Sequence, residues 1–161
     1  MTTSVKPTFI EILKRPAVFL ACGLGSGLIP KAPGTFGTLA AIPLFLVMQP
    51  LPLVSYLLLT VLFFIVGIWI AAQAIKVFKK DDPSEVVWDE VVGLLITMIA
   101  APAGWQWLVL GFVLFRIFDI WKPWPVSLAD QKLHGGLGIM LDDVIAGVYA
   151  FLTLKVIAII F

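Results

Sequence analysis

Two long stretches of the sequence contain no charged residue, and they constrain the fold more than any other feature. Asp, Glu, Lys and Arg are absent between Lys31 and Lys76 and again between Glu90 and Arg116. Over the whole chain, 61% of the residues are hydrophobic and 13% are charged. A soluble core would be interrupted by charge sooner, so lipid must be the solvent. The sequence therefore predicts an all-α, multi-spanning membrane helical bundle in which residues 1–161 form a single domain.

Charge and cysteine content exclude several classes of protein. The formal net charge is +1 and there is no basic run, so nucleic acid is excluded as a partner. Cys22 is the single cysteine, which excludes an internal disulfide and a cysteine-based metal cluster. The first residues lack the order of a cleaved signal peptide, because Lys14 and Arg15 interrupt the apolar stretch, and we expect the N-terminus to be retained.

The first half of the chain predicts a surface helix, a loop and a membrane span. Residues 9–20 have apolar side chains at mostly helical spacing with charges between them, which is typical of an interfacial helix, and Pro16 is expected to break it. Residues 22–38 are rich in Gly and Pro and indicate a shaped loop without regular structure. After an apolar segment and a turn at 49–52, residues 53–75 supply 23 uncharged positions. That length is enough to cross a hydrocarbon core of about 30 Å.

The second half contains a broken apolar run. Ser84 is expected to cap a helix that begins near Glu85. The following run, 91–115, is interrupted at 102–104, so it forms either one kinked span or a hairpin with two short arms. We favour the hairpin, because it returns Arg116 to the side on which the run began.

A last helix, predicted over residues 141–161, completes the topology. With the hairpin in place, the loops rich in Lys and Arg share one face, which the positive-inside tendency assigns to the cytoplasm. Lys155 is expected to extend its ammonium toward the opposite interface. A multi-pass protein with its polar face in the cytoplasm is thus expected.

Acidic residues are unusually frequent within or beside the apolar stretches. Buried carboxylates are costly in a membrane and usually have a cation or a basic partner. The alternative is that they lie in headgroup water as favourable charges at helix N-termini. The acids concerned are Glu85, Asp89, Glu90, Asp119, Asp130, Asp142 and Asp143.

Two of the acidic segments resemble each other. VWDEVVG at 87–93 and MLDDVIAG at 140–147 share two apolar residues, two acids, Val, a branched apolar residue and a nearby Gly. Each pair is expected to open a membrane helix, with adjacent acids pointing about 100° apart. Two such helix starts would gather oxygen ligands suited to Mg²⁺, unless the similarity is due to chance. Glu85 and Asp89, four residues apart, are expected to share one helical face.

Basic residues accompany the acids in FRIFDIWKPWP, residues 115–125. Arg116 and Lys122 could clamp the oxygens of a phosphoryl group beside an acid-bound metal. Alternatively, Arg116 and Asp119 form an ion pair that neutralises itself at the membrane surface. The two tryptophans of this segment are expected to be interfacial anchors.

The segment PKAPGTFGT, residues 30–38, and the only histidine are further candidates. A glycine-rich turn before a helix can cradle an anion, and Lys31, Thr35 and Thr38 could add donors. A purely structural loop is the alternative. His134, beside the second acid pair, is either structural or a group that protonates a leaving oxygen or holds phosphate.

Four segments, taken together, resemble the signature blocks of the phosphatidylglycerophosphatase A family. They are PKAPGTFGTLAAIPL (30–44), VWDEVVG (87–93), FRIFDIWKPWP (115–125) and HGGLGIMLDDVIAG (134–147). The resemblance implies an all-helical protein of the bacterial inner membrane that hydrolyses phosphatidylglycerophosphate to phosphatidylglycerol and phosphate, using Mg²⁺. Phospholipid is then the expected partner, with no obligate protein partner.

With this resemblance, roles can be assigned to the candidate residues. The CxxxxxR, DxDx[TV] and phosphohistidine patterns are absent, so metal-activated water is the simplest nucleophile. We expect the metal ligands to come from Glu85, Asp89, Glu90, Asp119, Asp142 and Asp143. Catalytic roles are expected for Asp89, Glu90, Asp142, Asp143 and His134, and phosphate binding for Lys31, Thr35, Thr38, Arg116 and Lys122. A headgroup phosphotransferase and a non-catalytic ion-binding membrane protein are the rival interpretations.

Overall fold

The computed structural model describes residues 7–124 and 134–161, and over these ranges the chain is helical and contains no strand. The all-α prediction is confirmed for this part of the chain. A short 3-10 helix occupies Gly23–Leu28. The α-helices are α1 (Phe9–Leu13), α2 (Pro16–Ala21), α3 (Pro33–Met48), α4 (Leu53–Phe78), α5 (Trp88–Thr97), α6 (Trp105–Trp121) and α7 (Gly135–Ile160).

Helices α4 and α7 are long and apolar enough to cross a membrane. Each has 26 residues, or about 39 Å at 1.5 Å per residue. Only 22% of the most apolar window of α4 and 28% of that of α7 is buried inside the protein, whereas a core helix of a soluble protein would be mostly covered. Large apolar side chains such as Val54, Leu58 and Trp69 point outward. These surfaces are those expected of a membrane protein.

Helix α5 lies at the centre of the fold and packs against α3, α4, α6 and α7. Most of its side chains are buried, and two hydrogen bonds fix it to α4. Tyr56 Oη donates to the Leu95 carbonyl at 2.7 Å, and Trp88 Nε1 donates to the Phe63 carbonyl at 2.9 Å. Ten residues extend about 15 Å, half a hydrocarbon core. Since protein surrounds it, α5 does not need to span the bilayer by itself.

The break in the second apolar run is a hairpin, as predicted. Helix α5 ends at Thr97, and Gly104 precedes α6 with a φ of 128°, a conformation that favours glycine. The chain then returns toward the start of α5. This is shown by the distance of 3.9 Å between Arg116 Nη1 on α6 and Glu90 Oε1 on α5. The two ends of the hairpin therefore meet on one side of the fold.

The N-terminal segment is broken at the predicted proline. Helix α1 ends at Leu13 and Pro16 is the first residue of α2, a position where its missing N–H costs no hydrogen bond. Ile12 and Val18 are buried while Phe9 and Leu13 are exposed. The location of α1 at a membrane surface stays a prediction.

Three predicted helix starts are wrong. Helix α3 begins at Pro33, inside the predicted loop, because Pro is favourable in the first turn. Helix α5 begins at Trp88 rather than near Glu85, and no side chain caps it; Val87 N instead donates to the Ala21 carbonyl at 2.9 Å. Helix α7 begins at Gly135, six residues before the prediction.

Two glycines, one before α3 and one within it, make room for the segment that leads into α5. A Cβ at Gly27 would lie 2.2 Å from the Glu85 carbonyl oxygen, and one at Gly37 would lie 2.5 Å from Val87 Cβ. Both distances are far below van der Waals contact. This close packing accounts for glycine at these two positions without an anion cradle.

Candidate functional site

Acidic side chains from three helices converge on one side of the bundle. Asp89 and Glu90 lie in the first turn of α5, and Asp119 lies near the end of α6. Asp142 and Asp143 are the eighth and ninth residues of α7, about two turns from its start, so the prediction that this pair opens its helix is wrong. Carboxylate oxygens of Asp89, Asp142 and Asp143 lie within 4.8 Å of one another, and so do those of Glu90, Asp119 and Asp143. Asp143 belongs to both groups.

A contact between glycines holds α5 against α7 beside these acids. Gly93 is four residues after Asp89, and Gly147 is four residues after Asp143, so each glycine shares a helix face with an acid one turn away. A Cβ at Gly147 would lie 2.7 Å from the Gly93 carbonyl oxygen. Thr97 Oγ1 donates to that carbonyl at 2.9 Å and lies 3.4 Å from the Gly147 carbonyl oxygen. The absence of side chains thus allows the close approach that brings the carboxylates together.

Three oxygens of the cluster are buried and accept no hydrogen bond from any residue the structure describes: Asp89 Oδ1, Glu90 Oε2 and Asp143 Oδ2. Unpaired carboxylate oxygens are costly to bury, more so beside other carboxylates. A divalent cation offsets that cost, and an all-oxygen donor set is the one hard cations prefer. The cluster therefore has the composition of a metal centre.

Two basic residues flank the cluster. Arg116 makes an ion pair with Asp119 through Nη1, and the same atom lies 3.9 Å from Glu90 Oε1. Lys122 Nζ lies 2.9 Å from Asp142 Oδ2. The Arg116–Asp119 pair considered from sequence therefore exists, but it lies at the edge of a larger acidic cluster.

These acids and bases line one open cleft with a volume of about 320 Å³. That size is within the range typical of small-molecule sites. Ala32, Pro33 and Gly34 at the start of α3 form another part of the walls. Of the residues predicted for the site, the structure brings Asp89, Glu90, Arg116, Asp119, Lys122, Asp142 and Asp143 to this cleft.

The phosphate-binding candidates before and within α3 are placed differently. Lys31 is exposed and does not line the cleft. The Thr35 N–H donates to the Ala32 carbonyl, and the buried Thr38 hydroxyl donates to the Gly34 carbonyl at 2.8 Å. Phosphate binding by Lys31, Thr35 and Thr38 stays a prediction that their positions do not support.

The remaining candidates lie outside the cluster. His134 precedes α7, is exposed, and lines a neighbouring pocket that shares Asp82 and Asp142 with the cleft. Glu85 lies before α5 with Oε2 3.8 Å from Lys80 Nζ, so the prediction that it shares a helical face with Asp89 is wrong. Asp130 lies outside the described residues.

Sequence reasoning missed two residues of the cleft. A Cβ at Gly34 would lie 2.2 Å from Glu90 Oε1 and 3.1 Å from Arg116 Nη1, so a larger residue there would displace these two side chains. Asp82 lines the cleft as well as the His134 pocket. Gly34 belongs to the glycine-rich segment 30–38, but only the fold shows which glycine of that segment faces the acids.

Comparison with known proteins gives concordant results. A sequence model of the family described as Phosphatidylglycerophosphatase A matches residues 19–158. The chain is 47% identical to the Phosphatidylglycerophosphatase A of Escherichia coli (strain K12) over 137 residues, which cover 84% of this chain and 80% of the relative. It is 44% identical to that of Haemophilus influenzae over 140 residues, 86% of each chain.

A third relative carries a different name. A Bacteroides thetaiotaomicron protein, provisionally named phosphatidylinositol-3-phosphatase, is 43% identical over 155 residues, covering 89% of this chain and 96% of the relative. No solved structure matches the chain significantly. The family match contains both acid pairs, Arg116 and Lys122, and it extends over most of the sequence. The chain therefore belongs to the phosphatidylglycerophosphatase A family.

Proposed function

We propose that the chain removes the terminal phosphate of phosphatidylglycerophosphate, releasing phosphatidylglycerol and inorganic phosphate for phospholipid biosynthesis. The observation that carries this proposal is the convergence of unpartnered carboxylate oxygens from α5 and α7 beside Arg116 and Lys122. The names of the Escherichia coli and Haemophilus influenzae relatives support the substrate.

Mg²⁺ is the cation that this donor set suits. The donors are carboxylate oxygens alone, which hard cations prefer, and space beside them is open to water and to phosphate oxygens. When bound, Mg²⁺ makes water a stronger nucleophile and neutralises phosphate charge. Asp89, Glu90, Asp119, Asp142 and Asp143 are the residues that would hold it.

The protein's own groups then have separate tasks. Arg116 and Lys122 bind the non-bridging phosphate oxygens and orient the phosphorus toward the carboxylates. One carboxylate of the cluster accepts a proton from the attacking water as its oxygen bonds to phosphorus. The bond from phosphorus to the glycerol oxygen breaks, and that oxygen takes up a proton. His134 is a candidate donor for this last proton.

Phosphate release from purified protein tests the activity. In detergent with Mg²⁺, release is expected from phosphatidylglycerophosphate without any nucleotide-linked substrate, and chelation of Mg²⁺ is expected to abolish it reversibly. Phosphatidic acid and glycerol 3-phosphate serve as comparison substrates. Phosphatidylinositol 3-phosphate is a further arm, because the Bacteroides thetaiotaomicron relative is named for it.

The outcomes separate the rival functions. Faster release from phosphatidylinositol 3-phosphate than from phosphatidylglycerophosphate would replace the proposed substrate. Headgroup transfer that requires a second alcohol would indicate a phosphotransferase. Ion flux in proteoliposomes without hydrolysis would indicate a non-catalytic ion-binding protein.

We also propose that the protein lies in the bacterial inner membrane, as a multi-pass bundle with the cleft facing the cytoplasm. Lys79, Lys80 and Lys122 lie at the ends of α4 and α6 that border the cleft, whereas Lys155 lies near the opposite side, where its ammonium donates to the Ala100 carbonyl. Excess Lys and Arg on one face favours the cytoplasmic side.

Thiol labelling in spheroplasts tests this orientation, since the native Cys22 is buried. A cysteine replacing the exposed Asp81 is expected to react with a membrane-impermeant maleimide only after the membrane is opened. A cysteine replacing Ala103, in the turn before α6, is expected to react in intact spheroplasts. The reverse pattern would place the cleft outside the cell.

A further inference from the structure

The acidic cluster consists of two half-sites of the same composition. Each contains one acid from the first turn of α5, one acid that is paired with a basic side chain, and the shared Asp143. The first half-site is Asp89, Asp143 and Asp142, with Lys122 on Asp142. The second is Glu90, Asp143 and Asp119, with Arg116 on Asp119. Asp143 therefore lies between two equivalent arrangements.

The unpartnered carboxylate oxygens are distributed over both half-sites. Asp143 is 3% exposed, and its Oδ2 accepts no hydrogen bond from the described residues. Asp89 supplies one further unpartnered oxygen to the first half-site and Glu90 supplies one to the second. Asp142 and Asp119, by contrast, are held by Lys122 and Arg116. Each half-site thus offers free donor oxygens on one flank and a basic side chain on the other.

Charge balance indicates how many cations the cleft needs. The two half-sites contain five carboxylates and, among the residues that the structure describes, are paired with two basic side chains, which leaves three negative charges when every acid is ionised. One divalent cation would leave the cleft negative. A negative cleft repels a phosphate dianion, whereas two divalent cations remove most of that repulsion.

We propose that Asp143 bridges two divalent cations, one held with Asp89 and Asp142 and the other with Glu90 and Asp119. This inference rests on the proposed metal-dependent hydrolysis and specifies its cation requirement. In two-metal hydrolases such a pair clamps the attacking and leaving oxygens of an in-line displacement. Here each cation position would have its own basic neighbour, Lys122 or Arg116, directed at the same phosphate.

Binding of Mn²⁺, followed by electron paramagnetic resonance, tests the inference without any turnover. The full chain in detergent is titrated with Mn²⁺, and loss of the free-ion signal gives the number of bound ions. Two ions per chain are expected, with the magnetic coupling that arises when one carboxylate bridges them. Asp119→Asn is expected to retain one ion with an uncoupled spectrum. Asp143→Asn is expected to weaken the binding of both ions by about tenfold or more.

Glu11→Gln is the matched control, because Glu11 is exposed on α1 and lines neither the cleft nor the His134 pocket. It is expected to bind two coupled ions. Thermal unfolding of each variant, followed by circular dichroism, shows that the fold is retained. The number of Mn²⁺ ions bound by the unsubstituted chain can be measured even if a variant fails to fold.

Several results would contradict the proposal that Asp143 bridges two cations. A single bound ion in a chain that releases phosphate at full rate would leave the hydrolysis standing and remove the second cation. Two ions without coupling, both unaffected by Asp143→Asn, would show that Asp143 does not join them. Failure of phosphate release with two coupled ions present would contradict the proposed function instead.

Discussion

Replacing Asp143 with asparagine is expected to lower the rate of phosphate release by about 10³-fold. Asp143 is the only described residue whose carboxylate belongs to both groups of converging oxygens, so the substitution weakens the whole cluster at once. The measurement is the initial rate of release from phosphatidylglycerophosphate in detergent, at saturating Mg²⁺.

The same substitution is not expected to lower stability. Asparagine has nearly the same shape and removes one negative charge from a group of crowded acids, so the thermal unfolding midpoint should stay or rise. Glu11→Gln provides the matched charge change at an exposed position outside the cleft and the His134 pocket. Activity of Asp143→Asn within a few-fold of the unsubstituted chain would remove Asp143 from the catalytic centre.

Replacing Gly147 with alanine is expected to lower both activity and stability. The new Cβ would lie 2.7 Å from the Gly93 carbonyl oxygen and 3.2 Å from Gly93 Cα, which are backbone atoms that cannot turn aside. Helix α7 must therefore move away from α5. Overpacking of this kind costs about 1–3 kcal/mol. A displacement of about 1 Å at the acids, one turn away, is expected to lower the rate of hydrolysis about 10²-fold.

Gly111→Ala in α6 is the control for this substitution. A Cβ there would lie 2.4 Å from Met98 Sδ, the flexible part of a side chain, and 3.6 Å or more from its next neighbours. Met98 can move, so activity is expected to stay within a few-fold. The rate is measured well below each unfolding midpoint. Equal losses for both variants would mean that the contact between α5 and α7 has no special part in placing the acids.

Apolar length and charge position were sufficient to predict much of the fold. The uncharged run that forms α4, the turn before it and the hairpin at Pro102 to Gly104 were read correctly because each has a strong local signal. The starts of α3 and α7 were misplaced because Pro33 and the glycines at 135 and 136 normally indicate loops. Gly136 is instead required by packing, since a Cβ there would lie 2.1 Å from the Ile68 carbonyl oxygen on α4. Such contacts between distant helices leave no local pattern.

The candidate site was predictable in its residue types and only partly in its arrangement. The similarity between the two acidic segments pointed to paired helices, and each segment also carries the glycine at which α5 and α7 touch. The pairing of Lys122 with Asp142, and the position of Asp143 between two groups, depend on how three helices meet. For Thr38, the structure shows that the hydroxyl donates to the Gly34 carbonyl within α3, a hydrogen bond that the sequence cannot reveal before the start of the helix is known.

The central position of α5 has a consequence for the way in which the helices assemble. Helix α5 has only ten residues and carries two acids in its first turn, so it is too short to cross a bilayer by itself. We expect it to reach its position only by packing against α4 and α6. Two further acids of the cluster are supplied by α7, which packs against α5. The acidic centre is consequently incomplete until α7 has packed against α5.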